Sequence, residues 1–119
     1  MDKISVTKNS NGEGLALLGV DRILYLEYYR AINRILVHTK DEVFYTVGTL
    51  VYWLELLNRN GHRFVRADRN GIANLSKIKV MDKALYRGYF EDDASGKYCP
   101  FAESRFKAVS KKVSYSYQS

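Results

Sequence analysis

The sequence predicts a mainly β domain with one or two short α-helices. Segments rich in branched aliphatic and aromatic residues recur along the chain, short polar links separate them, and only two windows set their apolar residues at helical spacing. A length of 119 residues with 46% hydrophobic content suits a single core and is too short for two full domains. The charged fraction of 27% is ordinary, and the apolar residues are spread along most of the chain, which argues against wholesale disorder.

Taken in order, Ile4 and Val6 alternate with Ser5 and Thr7 as in a strand with one buried face, and Ile23 to Tyr29 forms a second β-prone run. Arg34 to Thr39 and Val43 to Val47 flank the short polar link Lys40-Asp41-Glu42 and predict an antiparallel hairpin. Leu50, Trp53, Leu54 and Leu57 fall at i, i+3, i+4 and i+7, so a helix is expected there, with Thr49 as its N-cap and Asn60-Gly61 as its end. Phe64 to Arg66, Ile78 to Val80 and Ala84 to Phe90 read as further strands, the last two separated by Met81-Asp82-Lys83. A weaker helix covers roughly 102–112, where Ala102, Phe106, Val109 and Val113 share a face and the lysines at 107, 111 and 112 stay solvated.

The net charge of +6 is unevenly placed. Residues 1–60 carry seven Lys/Arg and seven Asp/Glu, whereas residues 61–119 carry twelve against six. A basic half is the footprint expected of a phosphate-binding protein, because cations near phosphates release condensed counterions; a merely basic, soluble surface gives the same count. No apolar run approaches the roughly 20 residues needed to span a bilayer, and Met1-Asp2-Lys3 does not open a signal peptide, so the expected compartment is the cytoplasm, with no membrane partner. The single cysteine, Cys99, has no partner for a disulfide or a metal site and reads as an inert thiol.

Enzyme chemistry finds little support. There is no HExxH pair, GxSxG elbow, Walker loop or GxGxxG, and neither His38 nor His62 has a second His or a Cys at metal-ligand spacing. Glu91, Asp92 and Asp93 read as an ordinary acidic loop. No enzyme activity, metal, cofactor or small-molecule substrate is expected.

The segment from Arg63 to Lys79 stands apart. It sets Arg66, Arg69 and Asn70 between the apolar anchors Phe64, Val65, Ile72, Leu75 and Ile78. An arginine fork fits guanine O6 and N7 and an asparagine amide fits adenine, so such a turn suits base reading; the same arginine could instead pair with Asp68. The spacing Phe64-x-Arg66-x-x-Arg69-Asn70-x-Ile72-x-Asn74-Leu75-x-x-Ile78 resembles the signature of the LytTR, or LytR/AlgR, DNA-binding domain. Upstream, Asp21 to Glu27 resembles a strand of that family, and Gly48-Thr49-Leu50 with the Trp53 helix resembles the segment leading into the signature. The resemblance runs from Ile4 to about Val109. Three positions depart from it: Asp68 stands where His is usual, Asn70 where Ser is frequent and Gly71 where an aromatic is common.

The resemblance implies an elongated stack of antiparallel sheets, a β-β-β sandwich, occupying residues 1–113, with 114–119 as a flexible C-terminal tail. It implies a transcription regulator, of the response-regulator output type, whose loops read successive major grooves of double-stranded DNA. Carried over by motif order, Asn33, Arg69 and Arg105 become the base contacts, and Arg30, Arg34, Asn70, Ser104 and Lys107 the phosphate contacts. Asn74 is expected to close the signature turn through backbone bonds, and Asp68 to orient Arg66 or Arg69. Paired direct-repeat sites and a homodimer on DNA are further implications. No receiver precedes the first strand, so the chain reads as a stand-alone regulator or an excised output domain. The competing expectation is a protein-interaction or regulatory module that keeps the fold without specific DNA reading.

Overall fold

The computed structural model describes residues 2–113. Ten strands and two helices follow in the order β1 (Lys3–Thr7), β2 (Leu15–Gly19), β3 (Tyr25–Tyr29), β4 (Arg34–His38), β5 (Val43–Thr46), α1 (Leu50–Arg59), β6 (Phe64–Asp68), β7 (Gly71–Asn74), β8 (Val80–Asp82), β9 (Arg87–Tyr89), β10 (Tyr98–Pro100) and α2 (Glu103–Ser110). All pairings are antiparallel. One sheet has the order β2-β1-β5-β4-β3-β7-β6 and the other β10-β9-β8. The mainly β class with two helices agrees with the sequence, and the molecule is elongated at 41 × 29 × 25 Å.

Successive strand residues point to opposite faces, and both faces of the middle of the large sheet are apolar. Leu26, Ile35, Val37 and Ile72 enter one core with Leu18 of β2, Val20 just after it, and Leu50, Trp53 and Leu57 of α1. Their neighbours Tyr25 and Ala73 enter a second core with Phe90, Cys99 and Phe101 around the small sheet and with Phe106 and Val109 of α2. The sheet is thus the middle layer of a sandwich. Burial raises the Cys99 thiol well above the usual range, so it stays protonated and unreactive.

Local chemistry sets the element ends. Thr49 Oγ1 accepts from the Tyr52 N–H at 3.0 Å, the N-cap expected from sequence. Gly48 at φ +107° lets the chain turn tightly beneath Trp53, whose indole N–H donates to the Val47 carbonyl at 2.8 Å. Three strands escaped the sequence reading: β2, β7 and β10. The late hairpin also differs, since Met81 and Asp82 belong to β8 and the reversal lies at 83–86. The expected tail at 114–119 lies outside the described residues.

Asn74 does not close the signature turn. It ends β7, is almost fully buried, and its side-chain amide donates to the Ile23 carbonyl at 2.9 Å, while its N–H donates to the Leu24 carbonyl at 2.9 Å. Replacing Asn74 with alanine leaves the buried Ile23 carbonyl without its partner and should lower the unfolding free energy by about 1–3 kcal/mol, measured by urea denaturation.

His38 stacks on Tyr25 at 4.1 Å between ring centroids, and its Nε2 lies 2.9 Å from Glu27 Oε1. Its Nδ1 is buried without a hydrogen-bond partner among the described residues. Burial lowers its pKa below the ordinary histidine range, against the opposing pull of the Glu27 hydrogen bond. With the folded pKa depressed, the unfolded chain binds more protons below about pH 6.5, so stability falls as pH drops through that value toward the folded pKa. Urea midpoints at pH 7.5 and 5.5 should show this loss, and His38→Phe should reduce it.

Candidate nucleic-acid interface

Three separate turns build one face. The first is the β6–β7 hairpin, closed by the pair Asp68↔Gly71 with Arg69 and Asn70 at its tip. A register shift between Arg66 and Asp68 adds local twist, and neither tip residue has a positive φ. Asp68 Oδ1 accepts from the Asn70 N–H at 2.8 Å, Arg66 Nη1 donates to the Arg69 carbonyl at 3.2 Å, and the Tyr28 N–H donates to the Asn70 carbonyl at 2.9 Å. The tip is held from three sides while the Arg69 side chain stays exposed. The expected role of Asp68 is corrected here, because its carboxylate braces the turn backbone and makes no ion pair with Arg66 or Arg69. Gly71 is its neighbour in space, as a Cβ there would lie 3.4 Å from Asp68 Oδ1. All three departures from the family pattern therefore meet at the Asp68 carboxylate.

The second turn joins β3 to β4 beyond the pair Tyr29↔Arg34. Asn33 takes the left-handed φ of 53° that closes it, a conformation asparagine tolerates better than most residues, and its Oδ1 accepts from the Tyr28 hydroxyl at 3.0 Å. Arg30 is exposed in this loop. Arg34 turns back, donating from Nε to the Ser10 carbonyl and from Nη1 to the Asn33 carbonyl, both at 3.0 Å.

The third is the first turn of α2. The Ala102 N–H donates to the Ala67 carbonyl at 2.9 Å, which fastens the helix start to β6, and buried Phe106 and Val109 seat it on the second core. Ser104 and Arg105 are left exposed beside the β6–β7 tip.

Arg66, Asp68, Arg69, Asn70, Ser104 and Arg105 line a groove of about 710 Å³. A neighbouring depression of about 320 Å³ is lined by Tyr28, Asn33, Thr49, Val51, Arg66 and Arg69. Arg66 and Arg69 belong to both, so Asn33, Arg69 and Arg105 share one continuous surface carrying three guanidiniums against the single carboxylate of Asp68. Two expected residues lie elsewhere. Arg34 borders a depression with Thr7 and Tyr45, and Lys107 faces a cavity on the other side of α2 with Met81 and Tyr86. Tyr28 and Thr49 are lining residues that the sequence did not single out, and Arg66, named there in the base-reading turn but not among the carried-over contacts, lines both depressions. The acidic loop is satisfied locally, Glu91 lying 3.8 Å from Lys40 and Asp92 3.7 Å from Lys79.

The family model of the LytTR DNA-binding domain matches residues 13–114. The chain belongs to the LytTR family. Among solved structures, this LytTR domain is similar to the LytTR DNA-binding domain of a Bacillus cereus protein described as a methyl-accepting/DNA response regulator, with a TM-score of 0.70 and 18% identity over 94% of this chain and 95% of that one. That likeness concerns the fold. No curated protein sequence matches the chain.

If Asp68 braces the LytTR turn, Asp68→Ala should speed hydrogen exchange at the Asn70 amide and Asp68→Asn, which keeps an acceptor, should restore most of the protection. Exchange unchanged in Asp68→Ala would remove the bracing role.

Proposed function

We propose that this LytTR domain binds double-stranded DNA sequence-specifically as a cytoplasmic transcription regulator, with its turns entering major grooves. The observation that carries the reading is the shared surface around Arg69. A braced hairpin tip presents that guanidinium between Asn33 on one side and Arg105 on the other. Arg69 and Arg105 suit bidentate bonds to guanine, and Asn33 suits an adenine edge once its amide exchanges the Tyr28 hydroxyl for a base. Arg30, Asn70, Ser104 and Arg66 surround them as phosphate contacts that fix register without reading sequence; Arg34 and Lys107 take phosphates farther out along the duplex.

Two copies on paired direct repeats extend the same reading. No helix among the described residues is long and apolar enough to cross a membrane. Neutralising roughly six phosphates predicts that affinity falls by about a hundredfold or more over a modest salt increase. A module that merely interacts with protein would lack that dependence.

Selection of binding sites from random duplex DNA, followed by titration of Arg69→Ala and Arg105→Ala on the selected site, tests the reading. Each substitution should cost about 1–3 kcal/mol and relax preference at particular base pairs. Uniform weakening across sequences would reassign the arginine to phosphate, and the absence of any enriched sequence would defeat specific recognition.

A further inference from the structure

We infer that the outer edge of the large sheet, β2, is a self-association surface, and that its partner is β2 of a second copy paired antiparallel. Among the described residues β2 ends the strand order, with β1 as its one neighbour. The Lys8 N–H donates to the Gly14 carbonyl at 2.9 Å and the Val20 N–H to the Asp2 carbonyl at 2.8 Å. With the register Val6↔Ala16 and Ile4↔Leu18, the positions bonded to β1 are therefore Gly14, Ala16, Leu18 and Val20. Leu15, Leu17 and Gly19 alternate with them and turn their N–H and C=O groups outward. The opposite edge, β6, is treated differently: the Ala102 N–H bonds to its Ala67 carbonyl and α2 packs along it.

Sheet edges are normally protected by a charge, a proline, a bulge or a cover. The sequence Leu-Ala-Leu-Leu-Gly of β2 has neither charge nor proline, and its register with β1 runs without a bulge. Leu15 and Leu17 are 79% and 70% exposed, beside the neutral Ser5 and Thr7 of β1. Outward amides and carbonyls in register require an extended backbone as partner, and β2 offers one that matches itself. A two-fold axis through Ala16 sets Leu15 of each copy against Leu17 of the other, which makes four main-chain bonds and two leucine pairs. An axis through Leu17 would instead set Glu13 against Asp21, so charge disfavours that register.

Such a contact buries on the order of a few hundred Å² per copy, below the roughly 800 Å² per partner of a standard stable interface, so the dimer is weak and concentration-dependent. Because the copies are related by a two-fold axis, the contact joins molecules on separate sites and not the neighbours on one direct repeat.

Sedimentation equilibrium of the full chain without DNA, from roughly 10 µM to 1 mM, tests this. The average mass should rise toward that of a dimer. Leu17→Pro removes an outward N–H and no bond to β1, so the fold is kept while association weakens at least about tenfold; Leu17→Lys should do the same by placing two ammonium groups in the contact. In Ala16→Cys, dissolved dioxygen should take two electrons and two protons from the facing thiols and leave a disulfide-linked dimer, since facing non-bonded positions bring the Cα atoms to about 4.5 Å. A chain that stays monomeric at 1 mM, or a dimer that both Leu17 variants leave intact, overturns the inference. Affinity for a single DNA site should be unaltered in either variant, which separates this outcome from a failure of DNA reading.

Discussion

Everything else in this fold depends on β3 being bonded on both sides and apolar on both faces. Its register to β4 and to β7 is set simultaneously, and a slip of one residue would move Leu26 out of the α1 core and Tyr25 out of the α2 core at once. Asn74 reinforces this from the side. Its amide reaches Ile23, 51 residues earlier in the chain, and anchors the entry to β3 against the exit from β7. The cost of leaving either buried polar group unpaired makes alternative pairings of these strands unfavourable.

That rigidity is what lets turns act as instruments. Asn33, Arg69 and Arg105 stand on three different connections, yet each connection springs from an element locked into the middle layer: β3 and β4, β6 and β7, and α2 through the Ala102 bond to Ala67. Side chains on such turns lose little further backbone freedom when they meet a ligand, so more of the contact energy is retained as affinity.

Much of this was legible from sequence where periodicity was strong. The helix at Leu50, Trp53 and Leu57 with its Thr49 cap and the β4–β5 hairpin both form where spacing and link chemistry indicate. The strands that were missed lack that signal for physical reasons. β7 is buried on both faces and so shows no alternation, β10 has three residues and a proline, and β2 carries exposed leucines where a polar face would be expected. The resemblance of the Arg63 to Lys79 segment was enough to name the turn around Arg69. It could not show that Asp68 spends its carboxylate on the Asn70 amide, because that depends on a backbone geometry created by the bulge between Arg66 and Asp68.

The bracing of the β6–β7 tip by Asp68 has an evolutionary corollary. Since the turn is held by its own backbone, by the carbonyl of Arg69 and by β3, the identity of the exposed side chain at position 69 contributes little to holding it. A lineage can therefore exchange the side chain at position 69 while the scaffold beneath it stays under unchanged selection. Exposed side chains at the tip can thus change one at a time without a passage through unfolded intermediates.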